Sequence, residues 1–201
     1  MIKKMIAAIT ILIFGFIATP VYALTVFIDL NGDMLYDSQD TFTPGDIFTA
    51  GVYADVDNAH GGLVGFGVSM NYDEPPISVN GIPTQLANVL IDPQWNFLPA
   101  KSVAPGALTA GGSLLLSTGL IGTSVHLFDV TFQATATGIS TLLMTDEIPN
   151  FGDFAGQDGF DYDASGELNF LSTQIRIIPV PPALILFGSG LLGMISFARR
   201  R

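Results

Sequence analysis

The amino-acid sequence predicts an all-β fold, an antiparallel β-sandwich of jelly-roll topology, over residues 24–178. Apolar and polar residues alternate along several short segments, and a period of two is typical of strands with one buried face. Clusters of Gly, Pro, Asn and Asp separate these segments. Because each one-sided strand needs a second apolar layer to cover it, two packed sheets are expected.

The clearest strand signal places Val64, Phe66, Val68, Met70 and Tyr72 on one face. The same alternation runs through 128–134 and 139–145 on either side of Thr137-Gly138, which predicts a hairpin. Further strands are predicted at Thr25 to Asp29, Ile47 to Val56, Ser113 to Leu120 and Leu168 to Ile178. A short helix is predicted at Pro83 to Ile91.

The N-terminal residues 1–23 are predicted to be a signal peptide that forms a helix before cleavage. Lys3 and Lys4 give the basic start, an apolar stretch follows, and Val21-Tyr22-Ala23 has the small residues of a cleavage site after Ala23. The alternative is an uncleaved anchor, which the short apolar stretch disfavours because a span needs about 20 residues. The sequence therefore predicts export.

The C-terminal residues 179–201 combine a proline break, an apolar segment and a basic end. A helix from Val180 to Ala198 would reach about 28 Å at about 1.5 Å per residue, barely enough for a transmembrane helix across a core of about 30 Å. Basic residues remain on the cytoplasmic side of a membrane. The lysines at the start and the arginines at the end therefore predict the same topology, with the acidic domain outside.

This tail resembles the sorting signal of PEP-CTERM proteins. The resemblance rests on Pro179-Val180-Pro181, on the run from Leu186 to Gly193, and on Arg199, Arg200 and Arg201, with Val180 at the position of the family's usual Glu. It implies processing by an exosortase and delivery to the cell envelope, the cell surface or the extracellular matrix. The alternative is a plain tail anchor that stays in the membrane.

Three stretches of the middle region are similar to cohesin-like, carbohydrate-binding-like sandwiches. They are Thr41 to Thr49, Leu63 to Asp73 and Leu127 to Ala134. The resemblance implies a sandwich that binds glycan or protein, and it supports the fold more than any particular partner.

Charge and cysteine content exclude several classes of function. Between residues 24 and 178, only Lys101 and Arg176 oppose eighteen acidic residues, which gives a net charge of −16. Nucleic-acid binding is therefore not expected, because it depends on Lys and Arg at phosphates. The chain has no cysteine, so disulfides, thiol catalysis and thiolate metal sites are excluded.

The segment from Asp29 to Asp40 is predicted to bind calcium. Its oxygen-bearing side chains stand at positions 1, 3, 5, 9 and 12 of an EF-hand-type spacing, and Leu35 at position 7 would offer its carbonyl. The spacing resembles a dockerin-type loop, although Met34 stands where Gly is usual. The predicted ligands are Asp29, Asn31, Asp33, Leu35, Asp37 and Asp40. The alternative is a solvated acidic turn.

A second, weaker calcium candidate consists of Asp161, Asp163 and Ser165, where Ser172 at the closing position cannot act as a bidentate ligand. For His60 and His126 a structural or surface role is expected, because neither adjoins a recognisable nucleophile motif.

No catalytic motif is present, and the neighbouring carboxylates of Asp55 with Asp57 and Asp73 with Glu74 are expected to diverge. The aromatic residues Trp95, Tyr53, Tyr72 and Tyr162 could stack on sugars but are expected to pack in the core or at its rim. The sequence favours a non-catalytic surface module. A polysaccharide hydrolase and a purely structural matrix subunit remain as alternatives.

Overall fold

The computed structural model describes residues 23–80, 88–115, 118–148 and 153–179, and their regular structure is almost entirely β. Within these residues lies one helix of four residues, α1 (Tyr162–Ser165). The strands are β1 (Leu24–Asp29), β2 (Gln39–Phe42), β3 (Ile47–Val56), β4 (Leu63–Asn71), β5 (Ile77–Val79), β6 (Val89–Ile91), β7 (Phe97–Ala104), β8 (Ala107–Ser113), β9 (Gly122–Ala134), β10 (Gly138–Asp146), β11 (Ala155–Gly156), β12 (Leu168–Phe170) and β13 (Thr173–Ile177).

The strands form two sheets, as the sequence predicted. One has the order β12-β1-β3-β9-β5, with β6 also paired to β9, and the other has the order β2-β13-β10-β4-β8-β7, with β11 also paired to β4. Two pairings depart from the antiparallel prediction, because β12 runs parallel to β1 and β13 runs parallel to β2. The last two strands of the chain thus lie beside the first two.

The core lies between the sheets and is built from the alternating residues of the strands. Phe66, Val68 and Met70 of β4 are buried, and the ring of Phe66 stacks on that of Phe128 in the opposite sheet at 6.0 Å. Trp95 is also fully buried and donates its indole N–H to the carbonyl of His126. Burying each such apolar side chain contributes about 1.5–3 kcal/mol, so these residues hold the two layers together.

The predicted hairpin between 128–134 and 139–145 is wrong. β9 pairs with β3 and β5 in one sheet, whereas β10 pairs with β4 and β13 in the other. The chain crosses between the sheets at Thr135 to Thr137, and Gly138 follows with φ +153°. Alternation shows that each strand has one apolar face. The apolar faces of two successive strands can line the same core from opposite sheets, so alternation does not show that the strands pair.

Three other predicted elements also differ. β8 ends at Ser113, so the predicted strand from Ser113 to Leu120 is wrong in its described part, and β7 and β8 were missed. Val89–Ile91 is a strand instead of the end of a helix, while 83–87 lie outside the described residues. The predicted strand from Leu168 to Ile178 is two strands in different sheets, because Leu171 and Ser172 carry the chain across.

The two ends of the chain bear on the predicted membrane topology. Within the described residues, no helix is both long and apolar enough to span a bilayer. The signal segment 1–22, together with Val180, Pro181 and Arg199 to Arg201, lies outside the described residues. Ala23 is buried, and its carbonyl accepts the N–H of Asp57. Pro179 is exposed.

Candidate functional site

The predicted calcium loop folds around its first aspartate. Asp29 ends β1, is 2 % exposed, and accepts the backbone N–H groups of Asn31, Gly32 and Met34 at 2.7–2.9 Å. Gly32 and Met34 both adopt positive φ, at +83° and +63°, so the sharp turn forms although Met34 occupies the usual glycine position. The turn is therefore closed by amide donors around one carboxylate.

The other predicted ligands of this loop are also engaged with the chain itself. Asp37 accepts the Leu30 N–H at 2.7 Å and the side-chain amide of Asn31 at 3.2 Å, and Asp33 accepts the Leu35 N–H at 2.9 Å. Asp40 lies on β2, where it accepts the N–H of the next residue. The structure thus brings Asp29, Asn31 and Asp37 together and leaves Asp40 on a strand. Calcium binding here stays a prediction.

The second predicted loop does not converge. Asp161 caps α1 by accepting the N–H groups of Asp163 and Ala164, both at 3.0 Å, and Ser165 donates to the carbonyl of Tyr162. Asp161 and Ser165, two of the three predicted ligands, are therefore already hydrogen-bonded to the backbone of α1. A carboxylate at the N-cap accepts the first free N–H groups of a helix.

The third residue, Asp163, belongs to a cluster that the sequence analysis did not assemble. Asp146 at the end of β10, Asp153 before β11 and Asp163 in α1 each place one carboxylate oxygen within 4.8 Å of the others. Among the described residues, this is the group of three such side chains close enough to hold a metal ion. We call it the acidic cluster.

The acidic cluster is poorly solvated. Both carboxylate oxygens of Asp153 and both of Asp163 expose less than 1 Å² and accept no hydrogen bond. Burial is the largest cause that raises the pKa of Asp146 and the pKa of Asp153, each to about 6. Burial also raises the pKa of Asp163, and the neighbouring Asp153 carboxyl opposes this shift.

A groove of about 610 Å³ lies on the outer face of the seven-stranded sheet, beside the acidic cluster. Its floor includes Gly65, Gly67 and Gly111, where the sheet carries no side chain, and Gly67 pairs directly with Gly111. Its walls carry apolar side chains that face solvent, namely Phe97 (39 % exposed), Leu98 (74 %) and Ile148 (48 %). Asp153 lines both the groove and the cluster.

The aromatic residues considered for sugar stacking lie mainly in the core. Trp95, Tyr72 and Tyr162 are buried, as expected, so their rings do not form an exposed platform. The carboxylates of Asp55 and Asp57 diverge, since the first accepts the Ser124 N–H and the second the Ala59 N–H.

Both histidines contact carboxylates. His126 sits between Asp92 at 2.8 Å and Asp129 at 2.9 Å, and the hydrogen bond to Asp129 is the largest cause that raises its pKa. His60 contacts Asp158 at 3.2 Å and stacks on Phe160. These contacts give both residues a structural role.

Comparison with known proteins identifies the fold. No protein-family model and no curated protein matches the chain. Among solved structures, it is similar to a non-cellulosomal cohesin from the hyperthermophilic archaeon Archaeoglobus fulgidus, with 16 % identity, a TM-score of 0.54, and 77 % of this chain and 91 % of that chain covered. The sandwich is cohesin-like.

A second similar structure is the sixth cohesin of scaffoldin B from Acetivibrio cellulolyticus, in complex with a Cel5 dockerin. It shares 11 % identity at a TM-score of 0.52, with 78 % of this chain and 99 % of that chain covered. At such identities the likeness establishes the fold alone.

Proposed function

We propose that this protein is a non-catalytic, exported module that binds a partner protein through the glycine-floored groove on its seven-stranded sheet. The observation that carries this proposal is the exposure of Phe97, Leu98 and Ile148 along one concave surface. Contiguous apolar side chains facing water are typical of sites that another molecule covers. The sandwich supplies a rigid platform for them.

A protein is favoured over a glycan as the partner. Sugar sites use exposed, coplanar aromatic rings, and here Trp95, Tyr72 and Tyr162 are buried. The groove walls are mainly aliphatic, which suits apolar side chains of a peptide. Among the fold neighbours, the scaffoldin B cohesin is itself in complex with a protein, a dockerin.

The proposal is tested with the full-length chain, kept in mild detergent because both ends are apolar. Peptides selected from a displayed random library should bind the wild-type chain and lose affinity at least tenfold for Leu98→Asp. The matched control is Leu90→Asp, since Leu90 is 61 % exposed on β6 of the other sheet. Peptides that bind both variants equally would contradict the groove as the site.

Three further outcomes would redirect the assignment. Binding on a glycan array that Leu98→Asp abolishes would make the ligand a glycan. Release of reducing ends from polysaccharides, lost on changing a carboxylate pair, would make the protein a hydrolase. Calcium-dependent self-association in light scattering, with no other ligand, would favour the structural matrix subunit.

We also propose that the ends direct the protein to the cell surface or extracellular matrix by an exosortase-type route, with the tail in the membrane before processing. The support is the order of basic start, acidic domain, proline break, apolar segment and terminal arginines. Intact mass of the surface fraction should correspond to a chain that begins at Leu24 and lacks the tail. Replacing Arg199, Arg200 and Arg201 with Gln should leave the tail uncut, and unchanged processing would contradict this route.

A further inference from the structure

The acidic cluster brings together carboxylates from three separate parts of the chain. Asp146 ends β10, Asp153 precedes β11, and Asp163 lies in α1, yet one oxygen of each falls within 4.8 Å of the others. The oxygens of Asp153 and Asp163 are buried and without hydrogen-bond partners. An isolated buried carboxylate is costly unless a cation or donor compensates it, and three together repel one another.

No basic side chain in the described residues compensates these charges. Every ion pair there involves His60 or His126, and neither histidine pairs with a member of the acidic cluster. Lys101 donates to the carbonyl of Val89, and Arg176 lies on β13. The charge of the acidic cluster must therefore be balanced from solution, either by a bound cation or by protons on the carboxylates.

The fold makes room for this close approach. Gly67 of β4 lies beneath Asp153, and a Cβ atom added at Gly67 would come 2.1 Å from a carboxylate oxygen of Asp153. Asp146 pairs with Val68, the next residue of β4, so the strand that accommodates Asp153 also positions Asp146. The oxygens are thus set by backbone pairing and a glycine on the sheet.

We infer that Asp146, Asp153 and Asp163 bind a hard divalent cation, which we assign as calcium. Carboxylate oxygens without nitrogen or sulfur donors select hard cations, and oxygens within 4.8 Å of one another fit around a calcium ion at about 2.3–2.6 Å from each ligand. The cation would fasten the segment 153–163 to the end of β10. Because Asp153 also lines the groove, the ion would fix one groove wall.

The test uses the full-length chain in mild detergent, stripped with chelator and titrated with calcium by calorimetry. At a calcium concentration a hundredfold above the dissociation constant, the melting temperature should rise by roughly 5–10 °C over the stripped protein. Asp153→Asn and Asp163→Asn should each weaken calcium binding at this site by at least roughly tenfold, since ligand charge sets affinity.

Two control variants separate this site from other carboxylates. Asp158→Asn changes an exposed carboxylate in the same segment and should leave calcium binding unchanged. Asp37→Asn changes the Asp29 to Asp40 loop, and if that loop also binds calcium, the loop and cluster variants should remove different binding events. Calcium binding that is lost in Asp37→Asn but kept in Asp153→Asn and Asp163→Asn would place the ion in the loop and overturn the inference.

A cluster that holds shared protons instead of an ion would give a different result. The stripped wild type would then show neither heat nor a thermal shift with calcium, magnesium or manganese, and Asp153→Asn would only stabilise it. That outcome overturns the metal site. It leaves the proposed groove function open to its own peptide test, in which Leu98→Asp is the deciding variant.

Discussion

The Asp29 to Asp40 loop and the acidic cluster contain the same chemical groups in opposite circumstances. In the loop, Asp29 and Asp37 accept hydrogen bonds from nearby amides at 2.7–3.2 Å. In the acidic cluster, the oxygens of Asp153 and Asp163 accept none. A carboxylate that collects amide donors is satisfied without an ion, whereas one buried against other carboxylates requires a cation or a proton.

The comparison teaches that sequence spacing and unmet charge are separate indicators of a metal site. The loop has calcium-like spacing, but local hydrogen bonds already use much of its acceptor capacity. The acidic cluster has no recognisable spacing, because its members are seven and ten residues apart and converge only in the folded chain, from the end of β10, the segment before β11 and the helix α1. Four predictions sharpen this difference.

The largest effect is expected at Asp29. Asp29→Ala removes the buried acceptor of three part-buried hydrogen bonds and should lower the free energy of unfolding by about 2–4 kcal/mol, measured by urea denaturation in chelator. The control, Asp33→Ala, removes one exposed acceptor and should cost about 0.5 kcal/mol or less. Equal effects in both variants would show that the loop is not organised around Asp29.

The next effect tests the floor under the acidic cluster. Gly67→Ala places a methyl group against the Asp153 carboxylate and should cost about 1–3 kcal/mol of stability, since packed interiors tolerate added atoms poorly. Gly45→Ala is not a suitable control, because Gly45 has a positive φ and the substitution would add backbone strain to the measured cost. A better control is Ala100→Gly, at the groove on β7. Urea denaturation that finds Gly67→Ala neutral would mean that Asp153 can move aside.

A smaller effect on stability should have opposite signs in the acidic cluster and in the Asp29 to Asp40 loop. In chelator, Asp163→Asn removes one of three mutually repelling charges and supplies an N–H donor, so stability should rise by about 1 kcal/mol. In the loop, Asp37→Asn should instead lower stability under the same conditions, because Asp37 accepts the Leu30 N–H. Thermal melts of both variants compare the signs directly. The same sign in both regions would remove the distinction between them.

The sequence predicted the two-layer fold well where a strand has one buried face. β3 begins and ends at the predicted residues, and the alternating residues Phe66, Val68 and Met70 are buried. Strand pairing was not predictable from the same pattern, which is why the expected hairpin between β9 and β10 fails. Alternation reports burial on one face and carries no information about which sheet a strand joins.

The missed strands β7 and β8 have a different cause. β7 is mostly exposed, and β8 carries Gly111 and Gly112, so neither shows a clear alternation of apolar and polar side chains. The candidate site was missed for a related reason. Its floor depends on glycines and its acidic cluster on residues from three segments, so the one available signal was the high density of aspartates between 153 and 163.

The smallest effect comes from an acidic site that contains a histidine. His126 lies between Asp92 and Asp129, and these hydrogen bonds outweigh the effect of burial and raise its pKa. A histidine whose folded-state pKa is raised stabilises the protein fully below its unfolded value of about 6.5, and this contribution disappears as pH rises through the folded value.

His126→Gln should therefore cost more stability at pH 5.5 than at pH 9, with a difference of about 0.5–1 kcal/mol measured by urea denaturation at both pH values. His60→Gln serves as the control for a histidine in another acidic setting. A His126→Gln cost that does not change with pH would show that the ring acts only by packing against Tyr53, whose ring centroid lies 4.9 Å away. A larger cost at pH 5.5 would instead show that a proton on His126 balances the charges of Asp92 and Asp129. A divalent ion is proposed to do the same in the acidic cluster.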